Sequence, residues 1–469
     1  MPAPPLPASV RLGYGLGSIA TGTYGTVPGL VLLYYLTDVL AVPAATAALV
    51  LFVPRVWDVL VDPWVGALSD RTRSSLGPRR PWLLAGALTL PVTFAAIFLA
   101  PPLSGGWAAG YVCLLLLAAA TAFSLFQVPY VAMPAEMTDD HRERSRLMSW
   151  RMALLGAAIL LSGGVAPAVA QSGGGTPAGY RLMALVVGAL LLAGTLSAFL
   201  GTRRAPLLRL STAAAPRTTL RDRITAVRAN RPFRVLFAAF LLQAVPAGIM
   251  LAAAQYFATY TLGSPSAVTT LFVCLVGPLV LTMPLWLRGA LRHGKRAALG
   301  AAAVLFGSGA ALLAATPLLG APFDAWYAHV CVGLVGVGYA GTQLLPFAML
   351  TDTLAADAAR SGASRAGLFT GLWTAGETLA MATGSGLFAL LLAATGFVSS
   401  TAGTEAAQPA SALAGIVAGI SVLPALLVLA SIPFVRRYDL AEEDPRPDPP
   451  RTDGLRPGSD AGTPPPATP

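Results

Sequence analysis

Apolar residues fall in long continuous runs separated by short polar turns, without the two-residue alternation of a strand. Twelve runs approach or exceed the ~20 residues needed to cross a hydrocarbon core. They are 12–38, 44–69, 81–101, 107–136, 148–171, 179–201, 234–262, 267–287, 297–317, 324–351, 366–395 and 411–435. Lipid-facing barrel strands alternate, so continuous runs point to helices. The pattern predicts an all-α integral membrane protein with about twelve transmembrane helices.

The polar turns alternate in charge. Arg71, Arg73, Arg79 and Arg80 follow the second run, and Arg142, Arg144 and Arg146 the fourth. Nine Arg between Arg203 and Arg234 follow the sixth. Arg288, Arg292, Lys295 and Arg296 follow the eighth, Arg360 and Arg365 the tenth, and Arg436 and Arg437 the last. The other turns hold only Arg181. Basic turns stay in the cytoplasm, so both termini are expected there, in a multi-pass cell-membrane protein. The same pattern accounts for the net charge of +10 without a nucleic-acid partner. Charged residues are 11% of the chain, against about 25% in a soluble domain.

The turns also set the organisation. Residues 1–202 and 234–438 form two six-helix units, joined by a basic cytoplasmic linker, 203–233. Its TLRDRITAVRA stretch suits either a basic amphipathic helix on the inner leaflet or a solvated link. The tail 439–469, rich in Pro, Gly and Asp, is expected to be disordered. GALSDRTRSSLGPRR after the second run and GALRHGKR after the eighth are a faint echo of duplication. MPAPPLPASV lacks a basic region followed by an apolar core, so no cleaved leader is expected.

Arg55, Asp58 and Asp62 are charges inside the second run. Spacings of three and four put them on one helix face. Each costs ~2.5–3.5 kcal/mol at a helix centre on insertion scales. Clustered, two carboxylates against one guanidinium leave one negative charge, which suits one monovalent cation: Na+, a hard ion wanting oxygen ligands, or a proton. Ser124 and Thr121 on the fourth run are the candidate hydroxyl ligands. Pro63 leaves the carbonyl of Val59 without its helical donor beside the pair. The plainer alternative is a brace in which Arg55 only neutralises the carboxylates. Glu377 is a fourth charge in mid-run, either a structural hydrogen-bonding group or a solute contact for a cationic or polyhydroxyl group.

Cys113, Cys274 and Cys331 lie in apolar runs, and no His stands at metal-ligand spacing. No zinc signature, phosphate loop or Ser-His-Asp set is present, so neither an enzyme nor a cofactor is expected.

Several stretches carry a family resemblance. They are YGLGS (14–18), YYLTDVL (34–40), RVWDVLVDPWVGALSDRTRSSLGPRRPW (55–82), VPYVAM (128–133), DDHRERSRLMSWR (139–151), PFAMLTD (346–352) and RAGLFTGLW (365–373). The chain resembles the major facilitator superfamily, in particular its glycoside–pentoside–hexuronide:cation symporters. The resemblance implies two pseudo-symmetric six-helix bundles around a central cavity, alternating access, and coupling at Asp58 and Asp62 with Ser124 near the hydroxyl ligand. It also implies solute contacts at Gly22, Gln127, Arg151 and Thr378; by residue type Tyr24, Tyr130, Trp150, Gln343, Trp373 and the mid-run Glu377 are further cavity candidates. Where the family's sugar carriers have acids on helices one and four, this chain has Gly22 and Gln127. Thr378 replaces a helix-eleven Lys. Symport is thus expected, of a sugar-like solute or of an amphiphile such as a lysolipid. A proton-driven exporter and a non-transporting receptor are the alternatives. Asp70, Arg71, Arg79, Arg80, Arg144 and Asp352 are expected to gate the cytoplasmic side and stabilise the outward-facing state. The expected partners are solute, coupling cation and bilayer, with the protein acting as a monomer.

Overall fold

The computed structural model describes residues 6–99, 101, 103–138, 140–205, 220–320, 323–361, 365–401 and 406–439. The tail from 440 and linker residues 206–219 lie outside the described residues; the rest of the linker includes a helix, Leu220–Ala229. Among the described residues, twelve helices are long and apolar enough to cross a membrane. The six of the first half are α1 (Ala8–Val39), α2 (Ala44–Arg71), α3 (Arg80–Phe98), α4 (Gly105–Pro134), α5 (Arg146–Ser172) and α6 (Pro177–Gly201). Those of the second are α7 (Arg231–Thr261), α8 (Ala267–His293), α9 (Lys295–Leu318), α10 (Phe323–Arg360), α11 (Gly367–Ala394) and α12 (Ala410–Arg437).

The apolar runs mark these helices closely except at the Arg-rich end. There α8 and α10 continue to His293 and Arg360, past the ends of the apolar runs at 287 and 351. α2 passes through Pro54 and Pro63 as one helix. α12 is interrupted at Ser421 and Ser431, whose hydroxyls donate to the carbonyls of Val417 (2.5 Å) and Val428 (2.6 Å). Such back-bonding bends helices. Small residues allow close helix crossings. Gly13 of α1 lies on Gly201 of α6, and Gly248 of α7 on the Met381 carbonyl of α11.

The halves mirror one another in detail. α1 and α7 both end in a π-turn, Tyr35–Val39 and Phe257–Thr261. Arg80 Nη1 donates to the Arg203 carbonyl (3.5 Å) just past α6, and Arg296 Nη1 to the Tyr438 carbonyl (3.4 Å) just past α12. Each places a cation at the negative end of a helix dipole.

The halves meet through α1 with α7, α2 with α11, and α5 with α8. At the end opposite the Arg-rich turns a polar seam joins them. Asp38 accepts from Thr37 and from Tyr260 of α7, and Thr37 bonds Tyr256 at 2.6 Å. Peptide groups continue it. Ala41 N donates to Ser400 O (3.0 Å), Ser400 N to Thr37 O (2.9 Å), and Leu40 and Thr401 form an isolated antiparallel bridge.

Candidate functional site

The charges of α2 share one face, as their spacing predicts. Arg55 Nη1 lies 3.6 Å from Asp58 Oδ2. Ser124 Oγ of α4 donates to Asp62 Oδ1 at 2.6 Å. Asp58 Oδ1 is buried without a hydrogen-bond partner. Tyr24 of α1, stacked on Phe123 at 4.4 Å, closes one wall. A cavity of about 50 Å³ touches Tyr24, Arg55, Asp58 and, across the halves, Ser385 of α11. One guanidinium against two carboxylates leaves an excess negative charge, and an orphaned buried oxygen is an acceptor in want of a cation or proton. The donor set is hard oxygen throughout, which fits Na+ as well as H+. Thr121 is occupied differently. Its hydroxyl accepts from Trp57 Nε1 (2.9 Å) and donates to Leu117 O (2.8 Å).

The expected solute contacts separate into two sets. Gly22 is packing: an added Cβ would lie 2.9 Å from Ala158 Cβ and 3.1 Å from the Leu155 carbonyl of α5. Tyr130 is fully buried, its hydroxyl donating to Tyr14 O at 2.7 Å and meeting Ser18 at 3.1 Å. Trp373 is buried too, stacked on Phe240 at 4.1 Å. In this conformation neighbouring helices cover these three. Gln127 accepts from Thr21 at 2.7 Å, and Thr378 donates back to Thr374 O. Arg151 lies over the Tyr130 ring at 5.5 Å, and Trp150 is half exposed. Gln343 donates to Tyr339 at 2.6 Å, and Glu377 is half-buried beside them.

At the Arg-rich end, the expected gate residues clasp within each half. Arg79 pairs with Asp70, with Glu136 (2.7 Å) and with Ser69 Oγ (2.6 Å). Lys295 pairs with Asp352 at 2.5 Å, the counterpart in the second half. Arg144 donates to Thr138 O (2.9 Å) in the α4–α5 turn, and Arg71 is exposed. Arg80 belongs to the end of α6, as described. Sequence reasoning missed Glu136, Arg296 and the whole Asp38–Tyr260 seam. The signal was present: YYLTDVL (34–40) and YFATYTL (256–262) align residue for residue.

Residues 13–442 match the family described as MFS/sugar transport protein. YagG of Escherichia coli (strain K12) is 30% identical over 262 residues, 55% of this chain and 56% of that protein, so the match spans about half of that relative. The inner membrane symporter YicJ of the same organism is 26% identical over 444 residues and 91% of each chain. The sodium-dependent lysophosphatidylcholine symporter 1 of Mus musculus is 24% identical over 380 residues, 73% of this chain and 69% of that one. In fold, the chain is similar to a bacterial homolog of the human lysosomal transporter Spinster, solved inward-facing and unoccupied. Its TM-score is 0.59 at 13% identity, covering 92% of this chain and 94% of that one.

Proposed function

Since the chain belongs to the MFS/sugar transport protein family, we propose that it is a secondary transporter that couples a monovalent cation to symport of a small organic solute. The carrying observation is the α2–α4 site. Ser124 holds Asp62, Arg55 neutralises one carboxylate, and Asp58 keeps a buried oxygen unpaired. A bound Na+ or proton completes that charge balance. Binding there raises solute affinity, and by linkage the solute raises cation affinity equally.

The solute class is a glycoside or an amphiphile. The names of the relatives favour both, and this chain has no acid at position 22 or 127. The protein sits in the cell membrane with both termini in the cytoplasm, by the distribution of Arg. The seam closes the opposite end, so this conformation exchanges solute with the cytoplasm. Movement of one half against the other opens it.

The test is uptake into proteoliposomes of labelled methyl glucoside and lysophosphatidylcholine, under imposed sodium or pH gradients. One of the two gradients drives accumulation, and Asp62→Asn abolishes the dependence. Accumulation that ignores both gradients, or that persists unchanged in Asp62→Asn, ends the coupling reading.

A further inference from the structure

Glu377 stands about 15 Å into α11, counting 1.5 Å per residue from Gly367. That is membrane depth, where an ionisable group is costly and marks function. Asp58 and Asp62 offset their cost with Arg55 and Ser124. Glu377 has neither hydrogen bond nor ion pair among the described residues, yet it is only half-buried.

A stripe on α10 faces it. Tyr339, Gln343 and Phe347 recur at every fourth residue and so share one side of the helix. Tyr339 and Gln343 are half-buried and Phe347 is 42% exposed. On α11, Trp373 and Glu377 are also four apart. The rings of Phe347 and Trp373 lie 5.7 Å apart. Stepping one turn along each of these antiparallel helices from that contact brings Gln343 opposite Glu377, with Tyr339 one turn further along α10. α10 packs mainly on α8 and α9, and α11 on α7 and α2. The crevice between α10 and α11 is bridged by side chains. Beneath it Trp373 is stacked on Phe240, and Gln343 donates to Tyr339.

We infer that this crevice is the subsite for an organic ammonium group on the transported solute, held by the Glu377 carboxylate and the Tyr339 ring. The inference rests on the transport reading and names the chemistry its solute carries. An unpaired carboxylate at this depth calls for a positive partner. A metal ion needs several hard oxygens, and the crevice offers one carboxylate among rings and an amide. An alkylammonium needs fewer, and aromatic faces attract it.

The full-length purified protein is titrated with two matched pairs, following thermal stability and intrinsic fluorescence. The pairs are choline with 3,3-dimethyl-1-butanol, and glucosamine with glucose. At least one cationic member acts at a concentration tenfold or more below its neutral counterpart. Glu377→Gln removes that preference, Glu377→Asp keeps part of it, and Tyr339→Leu weakens choline more than glucosamine. Equal action within both pairs, no response to either ammonium, or a preference that survives Glu377→Gln overturns the subsite. The wild-type comparison decides alone if Glu377→Gln folds poorly. Ammonium preference without gradient-driven uptake removes the coupling and leaves the subsite; coupling without preference removes only the subsite.

Discussion

Asp38 and Tyr260 occupy equivalent places in the two halves, and they are bonded to each other. Tyr34 and Tyr256, at the same separation along the chain, also meet, with ring centroids 5.2 Å apart. The pseudo-twofold axis relating the halves therefore passes between these pairs. One duplicated position has become an acceptor and the other a donor, so a contact that identical residues could not make joins the bundles.

Removing that donor should loosen the seam. Tyr260→Phe keeps the ring packed on Phe397 and Tyr256 but leaves buried Asp38 with Thr37 alone. A hydrogen bond to a charged group contributes about 1.5–3 kcal/mol, enough to shift the open fraction about tenfold or more. Leu40→Cys, in a chain whose Cys113, Cys274 and Cys331 are replaced by Ala, reports this by its rate of thiol labelling. The rate should rise with Tyr260→Phe, and an unchanged rate disproves the seam's role.

Ser124→Ala should weaken the coupling cation without unfolding the protein. It removes one hydroxyl oxygen and leaves the Asp62 carboxylate without its donor. Half-saturation by the coupling cation is expected to move up about tenfold, equivalent to about 1.4 kcal/mol. Gradient-driven uptake measured across cation concentrations tests this, and wild-type cation dependence would exclude Ser124 from the site.

The two clasps at the Arg-rich end should differ in weight. Arg79 and Glu136 are about nine-tenths buried as side chains, whereas Lys295 and Asp352 are over a third exposed. Arg79→Ala abandons a buried carboxylate, a loss of about 3–5 kcal/mol. Lys295→Ala removes a solvated pair, about 0–1 kcal/mol. Thermal denaturation in detergent should separate them clearly, and equal midpoints would contradict the burial argument.

Gly22→Asp should harm folding rather than create a sugar site. Its Cβ alone would press on Ala158 and on the Leu155 carbonyl. Overpacking costs about 1–3 kcal/mol, and a carboxylate wedged between α1 and α5 adds its desolvation. A clear drop in folded yield is expected. Normal yield with new affinity for glucoside would restore position 22 to the solute site.

Much of this was legible in the chain. Continuous apolar runs place all twelve helices, and the i, i+4 spacing of Asp58 and Asp62 with Arg55 before them puts three charges on one face. Ser124 and Thr121 are equal candidates in the sequence, because the partners that distinguish them, Asp62 and the Trp57 indole, come from another helix. Gly22, Tyr130 and Trp373 read as solute contacts because residue type shows chemistry and not which neighbour covers it. Arg296 reads as a topology charge and Arg80 as a topology charge and gate residue, yet their guanidinium groups turn back onto helix ends far away in sequence. Backbone pairing at Ala41 and Ser400 leaves no side-chain signature at all.

That pairing has an energetic consequence. Ala41 has φ 51°, a left-handed geometry that costs an L-residue about 1–2 kcal/mol. The backbone hydrogen bonds it makes possible return about 0.5–1.5 kcal/mol each, and water replaces them when the halves part. The backbone terms of the closed catch are thus near balance, which leaves its hold largely to the Asp38–Tyr260 bond, of a size that a coupling free energy of about 1–3 kcal/mol can tip. An ion and a solute that bind only modestly better to one conformation than the other would then suffice to release the door.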